Sequence, residues 1–240
     1  YIVARATQGL AEVIRKKGPK AMKMGVVIAY DNRHFSAEFA QMAALTLCAN
    51  GIRTYLFESL RTTPELSYAV RYLKTISGIV ITASHNPKEY NGYKVYWQEG
   101  SQILPETADE IVEEILSISD YSKIPVISES EAKSSGLLSI IGKELDDAYM
   151  AELKQLSLRD SGIDKDIRIV YTPLNGTGNV PVRRILKERG FNHVYVVSEQ
   201  ENPDPDFPTI KYPNPEDTAA FEYAEKLGRE VDADILIATD

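Results

Sequence analysis

The chain has 240 residues, 43% of them hydrophobic and 26% charged, with a net charge of −8. That length suits one large domain or two of ordinary size, and the acidic balance argues against nucleic acid, whose backbone favours basic surfaces. No apolar run approaches the roughly 20 residues that cross a bilayer, no signal-peptide pattern opens the chain, and the single cysteine, Cys48, excludes a disulfide framework. These features predict a cytoplasmic protein without nucleic-acid, membrane or obligate protein partners, and they leave a small phosphate ester open as a ligand.

In chain order, Ile2, Ala6, Leu10, Val13 and Ile14 form one helical stripe, with no cap residue ahead of it. Residues 25–30 are continuously apolar and read as a central strand. Ser36 is the expected N-cap of a helix to Asn50, and Gly51 its C-terminal stop. Residues 52–57 read as a strand, and Thr63-Pro64 as the cap and first-turn proline of a helix to about Lys74. Residues 78–81 form a buried strand and 93–97 alternate like another, and Asn91-Gly92 predicts the positive φ angles of a tight reversal between them. Pro105 opens a helix to about Ile118, residues 119–143 carry no predicted element, and helical spacing runs from Glu144 to about Leu158.

A second cycle follows: strand 167–171, helix 180–189, strand 193–197, an irregular proline-rich stretch 203–215, a helix from Asn214 to about Leu227, and strand 233–238. The alternation predicts two consecutive α/β domains with mixed, mainly parallel sheets flanked by helices. Their expected bounds are 1–145 and 146–240.

The richest chemistry lies between strands 78–81 and 93–97. A loop held at both ends by strands can fix a reactive side chain, and ligands of α/β sheets gather beyond the carboxyl ends of strands. Ser84 is the candidate nucleophile there, with His85 and Lys94 as nearby proton or charge carriers. Most loop serines merely bond their own backbone, and a Ser-His pair in sequence is no triad. Asp31-x-Arg33 reads equally as a salt-bridged turn or as part of a site. Asn175-Gly176-Thr177-Gly178-Asn179 lacks the lysine and the spacing of a nucleotide-binding loop and reads as structural.

Thr82-Ala83-Ser84-His85-Asn86-Pro87, followed by Tyr90-Asn91-Gly92-Tyr93-Lys94, resembles the active-site serine loop of the α-D-phosphohexomutases. Thr172-Pro173-Leu174-Asn175-Gly176-Thr177-Gly178 and residues 207–216 are most similar to the phosphoglucomutase/phosphopentomutase branch. The resemblance implies that Ser84 carries a phosphoryl group, that His85 donates to phosphate or sugar, and that Lys94 is a general acid/base. It also implies that Arg33 and Asn86 serve the substrate-phosphate region and the loop. Ala238-Thr239-Asp240 resembles the start of an Asp-x-Asp-x-Asp loop that binds Mg²⁺ together with the serine phosphate, so Ser84 and Asp240 are the expected metal ligands.

The implied activity is interconversion of glucose 1-phosphate and glucose 6-phosphate, with glucose 1,6-bisphosphate as intermediate and activator. Phosphopentomutase or phosphomannomutase action by the same mechanism is the alternative, as is a non-catalytic α/β binding domain. Relatives carry a further strand before the first helix, the rest of the metal loop and two more domains. The chain alone is therefore expected to bind Mg²⁺ poorly and to lack turnover.

Overall fold

The computed structural model describes residues 1–159 and 161–240. They form two compact units. One comprises Tyr1–Asp31, Phe35–Thr82 and Gly92–Leu145, and the other Asn32–His34, Ala83–Asn91 and Asp146–Asp240. Both are α/β, with a mixed, mostly parallel sheet in the first and a parallel sheet in the second, in agreement with the predicted fold class. Among the described residues no helix is long and apolar enough to cross a membrane.

In the first unit, strands β1 (Val26–Tyr30), β2 (Thr54–Phe57), β3 (Ser77–Ile81), β4 (Tyr93–Trp97) and β5 (Leu138–Ile141) lie in the order β4-β3-β1-β2-β5. All pairings are parallel except β3 with β4. β1 is apolar throughout because both of its faces are covered. Val26 and Ile28 face a core with Leu10 and Ile14 of helix α1 (Ile2–Lys16), Leu47 of α3 (Ser36–Ala49) and Ile111 of α5 (Pro105–Ser117). Val27 and Ala29 face Leu66 and Val70 of α4 (Thr63–Leu73). Each such fully buried aliphatic side chain contributes about 1.5–3 kcal/mol. Cys48 lies inside the first core at 2% exposure, and burial pushes its thiol pKa up. Trp97 ends β4 under the Lys17 ammonium, 5.5 Å from the ring centre. The short α2 (Pro19–Met24) precedes β1.

Several local expectations are corrected. Ser36 is the first helical residue and not the cap. Phe35 precedes it at φ 65°, and the Ser36 hydroxyl donates to Asp31 Oδ1 at 2.6 Å. Thr62, not Thr63, caps α4, its hydroxyl accepting from Glu65 N at 3.3 Å. Neither Asn91 nor Gly92 is among the residues at positive φ; Ser84 is, at 55°. Residues 119–143 hold helix α6 (Glu129–Ser134), with a capping box between Ser128 and Glu131, and the edge strand β5. Their polar surface masks a core side carried by Ala132 and Leu138.

In the second unit, β6 (Ile169–Thr172) is flanked by β7 (Val194–Val196) and β8 (Ile235–Ala238). Helix α7 (Lys143–Gln155) leads in, α8 (Asn179–Glu188) and α9 (Ser198–Glu201) follow β6 and β7, and α10 (Glu222–Val231) packs Ala224 and Leu227 near Val170 and Leu236. α10 starts at Glu222, later than the predicted Asn214, because Asn214 and Asp217 turn the chain first. Their side chains accept from the backbone N–H groups two residues on.

Candidate active site

β3 delivers the chain to Ile81 and β4 takes it back at Tyr93, with the last ladder-like bond from Thr82 N to Gly92 O at 3.1 Å. The Ala83–Asn91 segment between them belongs to the second unit. Ser84 stands in the left-handed region at φ 55°, which costs a non-glycine residue about 1–3 kcal/mol unless its surroundings over-determine it.

Arg33 does that. Only 4% exposed, it donates through Nη1 to the carbonyls of Pro87 and Tyr90 at 2.9 and 3.1 Å. Through Nη2 it donates to those of Ser84 and Asn86 at 2.5 and 2.6 Å. Charge-assisted bonds of this kind are short and strong. They turn the loop around one guanidinium, so that the loop is shaped from inside by a cation. Asn86 N donates to Ala83 O at 3.1 Å and Tyr90 N to Pro87 O at 3.0 Å, closing the tighter turns. It is thus the backbone of Asn86 that ties the loop, while its side chain is exposed.

On this support the half-buried Ser84 donates from Oγ to Asp240 Oδ2 at 2.7 Å. His85 Nδ1 lies 3.5 Å from the same oxygen. Asp240 lies two residues past β8, and its approach is fixed by the backbone and one side chain of β6. Thr239 N donates to Thr172 O at 3.2 Å, and the Thr239 hydroxyl meets the Tyr171 hydroxyl at 2.8 Å. Burial pushes the pKa of Tyr171 up to about 12. Gly178 makes room for that pair, since a Cβ there would sit 2.3 Å from Thr239 Oγ1 and 2.6 Å from the Tyr171 oxygen. This is a packing reason for a glycine in the Asn175–Asn179 turn, in keeping with its structural reading.

Ser84, His85 and Asp240 are therefore brought together, with Arg33 and the Asn86 backbone beneath them. Lys94 sits on β4 in the first unit, paired across the ladder with Val80. The Asp240 carboxylate and a phosphorylated Ser84 would form an all-oxygen donor set of the kind Mg²⁺ prefers. Among the described residues no group of three or more His, Cys, Asp and Glu side chains is arranged around a metal position.

Sequence reasoning missed Asp206 and Phe207. Asp206 Oδ1 accepts from His34 Nε2 at 3.2 Å and from Lys88 Nζ at 3.1 Å. Phe207 places its ring 5.5 Å from the Arg33 guanidinium. Both lie in the stretch whose prolines mark it as irregular, and no local pattern announces contacts across more than a hundred residues of sequence.

Residues 1–122 match the family model for phosphoglucomutase/phosphomannomutase, alpha/beta/alpha domain I, and residues 147–240 match that for domain II. A phosphoglucomutase of Staphylococcus haemolyticus (strain JCSC1435) is 36% identical over 240 residues, which cover 100% of this chain and 43% of that protein. One of Staphylococcus epidermidis (strain ATCC 35984) is 40% identical over 215 residues, covering 90% of this chain and 39% of its own length. A solved structure of a Thermus thermophilus protein, provisionally assigned as a phosphomannomutase, superposes with a TM-score of 0.76 at 26% identity. It covers 99% of this chain and 50% of that one. The chain spans about two-fifths of the length of these curated relatives.

Proposed function

Because the chain belongs to the phosphoglucomutase/phosphomannomutase family, we propose that it is the phosphoserine-bearing part of a phosphoglucomutase acting in the cytoplasm. The two family domains are read as residues 1–145 and 146–240, and the substrate as a sugar monophosphate. The observation that carries the reading is the Ser84 hydroxyl, partly exposed, clamped from below by Arg33 and bonded to Asp240 at 2.7 Å.

In the proposed cycle, phosphoserine 84 gives its phosphoryl group to the free hydroxyl of glucose 1-phosphate or glucose 6-phosphate. The Oγ–P bond breaks as the sugar O–P bond forms, and the hydroxyl proton passes to a base, the role assigned to Lys94. The product is glucose 1,6-bisphosphate, which turns over and returns its other phosphoryl group to Ser84 Oγ. The Oγ–H that must then leave is the one Asp240 Oδ2 already holds. His85, next to the same carboxylate, is suited to donate to the phosphoryl oxygens. Arg33 acts on the loop, to whose carbonyls both of its Nη nitrogens are bonded. A divalent cation, used in this family and expected to be Mg²⁺, would be held by Asp240 and the serine phosphate and would neutralise charge on the transferring group.

The test is phosphopeptide mapping of the full-length protein after incubation with glucose 1,6-bisphosphate and Mg²⁺. Phosphate on Ser84, absent in Ser84→Ala, is expected. A folded protein that takes none overturns the reading.

A further inference from the structure

We infer that Asp206 and Phe207, in the proline-rich stretch after β7, are positioning residues that hold the Ser84 loop in its transfer-ready shape. The inference rests on the reading of Ser84 as the phosphoryl carrier. Three contacts converge on these two residues. The Asp206 carboxylate takes Lys88, within the loop, and His34, beside Arg33, on one oxygen. The pKa of Asp206 is lowered, chiefly by the His34 and then the Lys88 hydrogen bond. The Phe207 ring, 6% exposed, covers the guanidinium whose four bonds define the loop.

One end of the loop is tied to the same place. Asn91 Nδ2 donates to His34 O at 3.0 Å, and Asn32 Nδ2 to Asn175 O at 2.9 Å. Asn175 O also accepts from Asp204 N at 3.2 Å, so the stretch that bears Asp206 shares an anchor with residues 32–34. Phe207 itself stands at φ 46°. A β-carbon-bearing residue held there, with its ring buried, is fixed by its surroundings.

An anchored loop matters because Ser84 must point at two different phosphates in turn. The guanidinium holds the loop through its carbonyls, from the inside. Lys88 on Asp206 adds a second point of attachment on the outer side of the loop, and two points fix a direction. Displacing reacting atoms by about 1 Å can cost on the order of a hundredfold in rate.

Single-turnover transfer from glucose 1,6-bisphosphate to Ser84 in the full-length protein tests this, read together with backbone amide exchange of residues 83–91. Asp206→Asn is expected to slow transfer about tenfold or more and to speed amide exchange in the loop. Bisphosphate affinity and the melting temperature should stay near wild type. A purely structural residue would lower the melting temperature and affect binding and transfer alike. In Lys88→Ala/His34→Ala, adding Asp206→Asn should change little further, because its partners are gone. Unchanged transfer and unchanged loop exchange in Asp206→Asn overturn the proposal. If wild type takes no phosphate, the phosphoserine reading has failed, and the exchange measurement still decides whether Asp206 anchors the loop.

Discussion

Arg33 shows how one residue can hold a loop together from beneath. Its planar fork makes four bonds to loop carbonyls, and a lysine ammonium, a point charge with three donors, cannot reproduce that geometry. Arg33→Lys should lower stability by on the order of 1–3 kcal/mol, because part-buried carbonyls lose donors. It should also open residues 83–91 to protease before the rest of the chain unfolds. Equilibrium urea unfolding with limited proteolysis checks both. Gly178→Ala should cost about 1–3 kcal/mol through overpacking, since two hydroxyl oxygens stand within 2.6 Å of the added Cβ; thermal unfolding reads it. If Asp240 shifts as Thr239 gives way, phosphorylation of Ser84 should slow as well. The Ser84 motif was legible because its residue types are contiguous. Asp206 was not, because its partners His34 and Lys88 lie 172 and 118 residues away.

At the level of elements, apolar period and turn chemistry predicted β1, β3, β4, α3 and α4 within a residue or two. β5 escaped because an edge strand buries little. Leu138 is its buried residue, and Ile140 is 45% exposed. The caps at Ser36 and Thr63 were misplaced by one position, since the Ser36 hydroxyl is turned to Asp31 and the Thr62 hydroxyl takes the helix N–H. What the sequence hid altogether is the close crossing of α1 and α5. A Cβ on Gly9 would stand 2.4 Å from Ile115 Cγ1 and 3.0 Å from Ile111 O and Ile115 N. Alanine at an ordinary helix site is better than glycine by roughly 1 kcal/mol. Here two of the obstructing atoms are backbone, which cannot swing aside, so Gly9→Ala should destabilise the protein by about 1–2 kcal/mol net. Circular dichroism melts would detect this, and an increase in stability would mean that the two helices can spread apart at little cost.

Across the molecule, several exposed carboxylates titrate below their ordinary range. Lys154 and then Arg184 hold Glu188 down, and Lys133 holds Glu129. A depressed pKa means that the unfolded chain binds more protons in that range, so the contribution is complete above roughly pH 4.5 and lost as pH falls through the folded values. The melting temperature should therefore drop between about pH 4.5 and 3. The drop should shrink in about 1 M salt, because these groups are exposed and screened. A drop of the same size in low and high salt would point to buried groups instead.

Trp97 lies on β4 in the first unit and is the single tryptophan of the chain. The protein thereby carries an intrinsic optical label for half of itself. Excited at the red edge of the tryptophan absorption band, its emission follows the first unit alone, whereas far-ultraviolet ellipticity sums over both. Coincident traces in denaturant would make the two units one cooperative body, and an early or late fluorescence change would resolve their separate stabilities without any added dye.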